Sequence, residues 1–280
     1  AQDQPIKVAA VQANIDFELK WDKSRRDIVY DTYANLTRQH WDSEIIVWPE
    51  TAIPTFYKVA EQNFIPAFEA EVDDNESEVL AGIFTFDQET ELIFNSMVSL
   101  GGERQFYHKK HLVPFGEYLP FRWLLEIFQK FVNIPMSDLS SGPGDYIVEL
   151  RGIPVGVSIC YEAAFGEEII QSFPQAQLLV NVSNDAWFGD SLAPHQHLQI
   201  ARVRSLESGR YMIRATNTGI SALIDDKGNI ISRSGQFVED VVTGTVVPMR
   251  GSTPFIIWGN WVVINISFIL LLVIYFRANS

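Results

Sequence analysis

Between residues 5 and 250 the chain alternates runs rich in β-branched and aromatic residues with stretches whose apolar positions recur at helical spacing. The runs 6–13 (IKVAAVQA), 44–50 (EIIVWPE), 79–87, 93–100, 153–162 (IPVGVSICYE), 177–185 (QLLVNVSND), 211–225 and 243–248 predict strands. Helices are predicted over 20–41, 61–72, 120–132, 166–172 and 195–210. Alternation of this kind builds layers in which helices cover sheets, so the expected class is α/β. No internal repeat or low-complexity tract interrupts it, and several strand runs end in polar residues.

The stretch 255–276, FIIWGNWVVINISFILLLVIYF, follows a different rule: 22 residues without a charge, between Arg250 and Arg277. About 20 such residues at 1.5 Å rise span a hydrocarbon core of ~30 Å, so a transmembrane helix is predicted in preference to a buried core helix. Trp258, Trp261 and Tyr275 suit the two interfacial belts, whereas Asn260 and Asn265 suit contact with other helices better than lipid. MRGSTPF, 249–255, reads as the hinge, dividing the chain into a globular domain, 1–250, and a hinge with its membrane helix, 251–280. The opening AQDQPIKVAAVQANI has no initiator Met, basic region or apolar core, so no signal peptide is expected there and it reads as a cut end. A second apolar stretch, FRWLLEIFQKFV at 121–132, suits either core packing or an arm lying in a bilayer surface.

Composition narrows the function. A formal charge of -14, from 35 acidic and 21 basic residues, repels phosphate backbones and argues against a nucleic-acid partner. A single cysteine forms no internal disulfide.

That cysteine, Cys160, ends a strand run and precedes a Gly-containing turn and a short helix, in GVSICYEAAFGEE. A thiol so placed is lifted toward solvent among the N–H groups of the turn, which lower a thiol pKa and can bind an oxyanion; a buried, inert core cysteine is the alternative. Glu162 lies two residues on. Glu50, after the strand run in IIVWPETAIP, is costly at the end of a buried strand unless it is paired or functional. In FYHKKHLVPFGEYLPF the alternation puts Lys109 and Lys110 on opposite faces, so one points inward, and spacing alone leaves open which. His195 and His197 flank Gln196; residues two apart share no helix face and no further His or Cys stands near, so no metal site is expected. Arg202, Arg204, Glu207 and Arg210 read as ion-pairing residues on or beneath a helix. Trp187 and Phe188 suit either the core or the wall of an acyl pocket.

Glu50 in WPE, Lys109 in YHKKHL and Cys160 in ICYE stand in the order and approximate spacing of the glutamate, lysine and cysteine of the nitrilase superfamily. Further stretches resemble the apolipoprotein N-acyltransferases of bacterial lipoprotein maturation: LKWD (19–22), VWPETAIP (47–54), KKHLVPFGEYLP (109–120), ICYEAAFGE (159–167), VNVSNDAWFGDS (180–191), the run 194–225 and TPFIIWGNW (253–261). They cover most of the chain, and VPFGEYLP and SNDAWFGDS are more specific than the trio.

The resemblance implies a nitrilase-like four-layer α-β-β-α sandwich followed by one C-terminal transmembrane helix. It implies Glu50 as general base, Lys109 as stabiliser of the tetrahedral intermediate, Cys160 as nucleophile and Glu117 as an additional essential glutamate. Trp21, Tyr161 and Glu162 match positions important to activity. It further implies a thioester on Cys160, filled from a phospholipid such as phosphatidylethanolamine and emptied onto the N-terminal amine of a diacylated apolipoprotein, without cofactor. The implied place is the bacterial inner membrane, with the catalytic domain facing the periplasm and a preceding bundle of membrane helices that this chain lacks. A membrane-anchored nitrilase-type amidase acting on a small amide shares the same three residues and is the rival expectation.

Overall fold

The structure, a computed structural model, describes residues 4–118 and 139–278, so the stretch 121–132 lies outside the described residues. The first half runs β1 (Ile6–Gln12), α1 (Phe17–Trp21), α2 (Arg26–Arg38), β2 (Ile45–Val47), β3 (Ile53–Phe56), α3 (Tyr57–Asn63), α4 (Ile65–Asp74), β4 (Glu78–Phe86), β5 (Ile93–Leu100) and β6 (Phe106–His108). The second half runs β7 (Ile147–Leu150), β8 (Ile153–Ile159), α5 (Gly166–Ile169), β9 (Leu178–Ser183), α6 (Ala193–Ser208), β10 (Met212–Thr216), β11 (Ala222–Ile224), β12 (Ile230–Arg233) and β13 (Asp240–Val246). Two helices follow, α7 (Pro254–Trp258) and α8 (Trp261–Ala278).

Among the described residues the strands form two sheets, ordered β13-β1-β2-β4-β5-β6, with β3 also on β4, and β12-β11-β10-β9-β8-β7. Each has a parallel centre, β1/β2/β4 in one and β8/β9/β10 in the other, with antiparallel strands outside it. The period of two along β1 explains the layering. Val8 and Ala10 face the second sheet and meet Val155, Val157, Val180 and Val182, while Ala9 and Val11 face Val29 and Tyr33 of α2. Leu179 and Met212 look the other way, onto Leu198 and Ala201 of α6. The result is the expected α-β-β-α sandwich. Each aliphatic side chain buried in it contributes about 1.5–3 kcal/mol, and a one-residue slip of β1 would exchange its two faces, so the register is firmly held.

Several elements are shorter than predicted, for local reasons. The helix over 20–41 breaks at Asp22, whose carboxylate accepts from Ser24 N at 2.9 Å and starts a new turn. The helix over 61–72 is resolved as α3 and α4, which meet at Phe64. The strand over 211–225 is two antiparallel strands: Thr216 N donates to Ser221 Oγ at 3.0 Å across the turn between them, and Asn217 Nδ2 donates to Ile15 O at 2.8 Å. The membrane helix predicted over 255–276 is also divided: Gly259 takes φ 51°, in the left-handed region, and α8 begins afresh at Trp261. Along α8 the side chains are exposed and, apart from Asn265, Ser267 and Arg277, almost all apolar, and it is long and apolar enough to cross a membrane.

Candidate active site

The ends of three strands converge. Glu50 follows β2 and Cys160 follows β8, both at the C-terminal edges of parallel strands, where open α/β sheets form their crevices. Lys109 follows β6, its main-chain N–H bonded to Asn95 O at 2.8 Å.

The turn bearing Glu50 presses against β4. A Cβ at Gly82 would stand 2.3 Å from Pro49 O and 2.4 Å from Thr51 N, so only glycine lets the turn lie there, and Thr51 itself adopts φ 50°. The Glu50 side chain is buried. Its Oε1 accepts from Asn95 Nδ2 at 2.7 Å and faces Lys109 Nζ at 3.5 Å; its Oε2 accepts from Asn184 N at 2.9 Å. Behind it, buried Lys20 donates from Nζ to Glu50 O at 3.1 Å. Burial pulls Lys20 down to about 7, against the raising effect of the Glu50 charge.

Lys109 is fully buried and Lys110 points away: Lys110 Nζ donates to Gly144 O at 2.5 Å and lies over the Tyr146 ring. The inward lysine of the pair is therefore Lys109. Its tightest partner is Glu117 Oε1, at 2.7 Å. Burial opposes the Lys109 charge, but the charges of Glu50, Cys160 and Glu117 together raise its pKa above the ordinary lysine value, so it stays an ammonium. Glu117 is held in turn by Val113 N, 2.8 Å from its Oε2.

Cys160 opens a 3₁₀ turn, Cys160–Ala164, immediately after β8, and adopts φ 52°. A left-handed conformation costs a residue with a Cβ roughly 1–2 kcal/mol, and here it turns the chain sharply at the thiol. Cys160 is partly exposed as a residue. The lowered thiol pKa expected from the N–H groups of the turn is not found: burial of the thiol and the Glu50 charge push it up to about 12, and Lys109 pulls the other way. The resting group is thus a thiol whose proton must leave as it attacks. Its charge couples to both Glu50 and Lys109.

Glu162 does something the sequence did not disclose. Its Oε1 accepts from Lys110 N at 2.7 Å and His111 N at 3.1 Å, and its Oε2 from Ile159 N at 2.6 Å and Tyr107 Oη at 2.8 Å. Burial raises its pKa, yet four donors converge on it, an arrangement suited to an acceptor-only carboxylate. It fastens the loop of Lys109 to the turn of Cys160.

Aromatic residues follow Lys20 and Cys160 directly in the chain. Trp21 is half-exposed and lies 6.1 Å from Phe84; Phe17 bridges Trp21 and Trp187, which is 74% exposed and so stands outside the core. Tyr161 packs edge-on against Phe165, which stacks on His111. His195 is exposed and His197 turns inward onto Asp185 and Cys160 O, so the two histidines diverge. Of the arginines read as ion-pairing, Arg204 pairs with Glu207 at 2.9 Å, whereas Arg202 and Arg210 bind main-chain oxygens. Asn95, Asn184, Asp185, Arg214 and Lys20 were not singled out from the sequence; the one available signal was their polar character within or beside runs read as buried strands or quoted motifs.

Residues 7–254 match the carbon-nitrogen hydrolase family. The chain is 42% identical over 263 residues to the apolipoprotein N-acyltransferase of Methylococcus capsulatus, covering 94% of this chain and 52% of that one. It is 39% identical over 272 residues to the apolipoprotein N-acyltransferase of Vibrio cholerae, covering 92% and 53%. It thus spans about half the length of the curated relatives it matches. Among solved structures, a Saccharomyces cerevisiae member of branch 10 of the nitrilase superfamily superposes with a TM-score of 0.66 at 18% identity, covering 88% of this chain and 92% of that one. A carbon-nitrogen hydrolase from Helicobacter pylori gives 0.64 at 14% identity, covering 86% and 88%. These two support the fold alone.

Proposed function

Because the chain belongs to the carbon-nitrogen hydrolase family, we propose that it is the catalytic part of an apolipoprotein N-acyltransferase, moving a fatty acyl chain from a phospholipid through a Cys160 thioester to the N-terminal amine of a diacylated apolipoprotein. The observation that carries this reading is a reactive cluster, Glu50, Lys109, Glu117 and Cys160, in a chain about 40% identical to proteins of that name and bearing an apolar helix fit to cross a bilayer.

The chemistry follows from the protonation states. Cys160 Sγ attacks the sn-1 ester carbonyl as Glu50 takes its proton, which a thiol pushed up to about 12 does not give up to water near neutral pH. The carbonyl oxygen gains the electron pair and is met by the Lys109 ammonium and the main-chain N–H of Tyr161; each such donor is typically worth ~2.7–4 kcal/mol in the transition state. Collapse breaks the ester C–O bond, and Glu50 returns the proton to the departing lysophospholipid. The incoming amine, with a reference pKa of about 7.7–8.0, then attacks the thioester, gives a proton to Glu50, and leaves Cys160 regenerated as the thiol. Two half-reactions on one nucleophile predict ping-pong kinetics. Glu117 sets the position of Lys109, Glu162 joins the two loops, and Trp21, Tyr161 and Trp187 line the approach of the acyl chain.

In this reading residues 1–250 are the catalytic domain and 251–280 the hinge and membrane helix. The place of action is the bacterial inner membrane, in a multi-pass protein with the catalytic domain in the periplasm. Phosphatidylethanolamine is the proposed donor. The test is transfer from a phospholipid labelled in its sn-1 chain to a synthetic diacylated lipopeptide by the full-length enzyme in detergent. A labelled triacylated product is expected; Cys160-dependent hydrolysis of small amides without transfer would instead make the protein an anchored amidase.

A further inference from the structure

Four side-chain atoms of the site alternate around a ring, two acceptors and two donors. Glu50 Oε1 accepts from Asn95 Nδ2 at 2.7 Å and faces Lys109 Nζ at 3.5 Å. Glu117 Oε1 accepts from Lys109 Nζ at 2.7 Å and faces Asn95 Nδ2 at 3.4 Å. Each carboxylate oxygen thus meets an ammonium and an uncharged amide. Asn95 stands on β5, on the face it shares with Met97 of the core between the two sheets, and it is buried. Its main-chain oxygen accepts from Lys109 N at 2.8 Å, so one residue holds the backbone of the lysine and both carboxylates. The amide can stand only this way round. The remaining oxygens of the two carboxylates accept from main-chain N–H groups, Glu50 Oε2 from Asn184 N at 2.9 Å and Glu117 Oε2 from Val113 N at 2.8 Å. Both carboxylates therefore meet donors at every contact, and a reversed amide would set its oxygen against them, acceptor against acceptor. As it stands, Asn95 Oδ1 is buried without a hydrogen-bond partner among the described residues. A buried acceptor left unpaired is costly, and here it accompanies an NH₂ that serves two carboxylates at once.

We propose that Asn95 is a positioning residue for the proton-transfer step: its uncharged NH₂ holds the Glu50 carboxylate, and with it Glu117, in place while the Lys109 ammonium turns to the developing oxyanion. The two donors of the ring have different duties. Lys109 faces the substrate oxygen as the tetrahedral intermediate forms, and an ammonium drawn to a third acceptor loosens its hold on the first two. Asn95 has no second duty, and its NH₂ carries one hydrogen for each carboxylate. The distances divide in the same way, since Glu50 is closer to the amide and Glu117 closer to the ammonium. Glu50 keeps its short bond to Asn95, and Asn184 N on its other oxygen, through the step in which it takes the Cys160 proton. Such placement matters because a displacement of about 1 Å can cost ~10²-fold in rate. This role rests on Glu50 being the base and Lys109 the oxyanion donor; the order of the ring does not.

The test is single-turnover acylation of Cys160 in the full-length enzyme by phosphatidylethanolamine, followed by intact-protein mass spectrometry. Wild type is compared with Asn95→Asp and Asn95→Ala, each verified as folded by a cooperative melt. Asn95→Asp keeps the shape but exchanges the NH₂ for an acceptor; Asn95→Ala removes the group. At pH 8 both are expected to acylate ~10²-fold more slowly, with the donor concentration for half-maximal rate within about threefold of wild type. As the pH falls to 5 the introduced carboxyl takes up a proton and presents an O–H to its neighbours. The ratio of Asn95→Asp to wild type is therefore expected to climb ~10-fold or more, while that of Asn95→Ala stays flat. A role in packing alone lowers stability without that recovery. A folded variant of either kind that acylates within about threefold of wild type at pH 8 overturns the proposal. So does an Asn95→Asp ratio that fails to rise toward pH 5. If wild type forms no acyl adduct yet hydrolyses small amides through Cys160, the transferase reading falls. The same ratios, measured on amide hydrolysis, then decide the role of Asn95, because base and lysine are shared by the two reactions.

Discussion

Lys109 Nζ stands 2.7 Å from Glu117 Oε1 but 3.5 Å from Glu50 Oε1. The buried ammonium is thus hydrogen-bonded most closely by Glu117, although the Glu50 charge raises its pKa more, and the Glu50 carboxylate is also bonded to Asn95 and Asn184 N. Glu117→Gln removes the closer charge while keeping an oxygen acceptor. Lys109 then draws toward Glu50 and engages the carboxylate that takes the thiol proton, and the rate of acyl-enzyme formation should fall by about 10²-fold or more with little change in donor KM. Stopped-flow acylation of the variant checks it; an unchanged rate would place Glu117 outside the machinery.

Glu50 works on Cys160 in two opposed ways. Burial and then the Glu50 charge push the thiol up, so Glu50→Gln should lower its pKa toward the ordinary value, and alkylation at pH 8 should become several-fold faster. Acyl transfer should nevertheless be lost, because nothing then carries the proton to the leaving group. Faster alkylation with abolished transfer is the expected pair of results, read by mass spectrometry and product assay. Slower alkylation would mean that Glu50 does not face the thiol.

Glu162→Gln presents an NH₂ where two of the four converging donors need an acceptor. Two bonds to a charged group are lost at about 1.5–3 kcal/mol each, so unfolding stability should drop by about 3 kcal/mol or more, measurable by urea titration. Activity should fall with it, since the loops of Lys109 and Cys160 lose their fastening. A variant of unchanged stability would show that the carboxylate is protonated in the native protein.

Lys20 supplies a pH dependence with a definite sign. Its pKa is lowered from the ordinary 10.5 to about 7, chiefly by burial. Between those values the unfolded chain binds the extra proton, so its contribution makes stability rise with pH across that window. Lys20→Met should therefore be more stable than wild type at pH 6, by about 1–4 kcal/mol, with the gap closing toward pH 10. It should also be less active, because the main-chain oxygen of Glu50 loses its donor. Stability curves that stay parallel from pH 6 to 10 would contradict this.

The fold was legible where the period was clean. Near-continuous apolar runs in IKVAAVQ, EIIV and QLLVNVS mark strands covered on both faces, and those strands are β1, β2 and β9. Short strands without such an apolar run escaped, because residues such as Phe106–His108 give neither a run nor a period to count. The breaks at Asp22 and Gly259 were visible as residue types but not as breaks. What fixes Gly259 is Glu167, far off in sequence, whose carboxylate accepts from Asn260 N at 2.8 Å. The site divides in the same way. Glu50 and Cys160 were legible as polar or reactive residues at strand ends, Lys109 only as one of two neighbouring lysines of which one points inward, and the three together as a spacing that resembles a superfamily. Lys20, Asn95 and His197 were not, because each matters only through a contact to a chain segment 30 or more residues away.

The most direct test of the central claim, that Cys160 carries the acyl group, is intact-protein mass spectrometry. The full-length enzyme is incubated with phosphatidylethanolamine of one known acyl chain, with Cys160→Ser as control. A mass increase of one acyl group on Cys160, absent from the control and discharged by a diacylated lipopeptide, is the predicted result. Triacylated product formed at the wild-type rate with no adduct on Cys160, or formed by the serine variant, would contradict it.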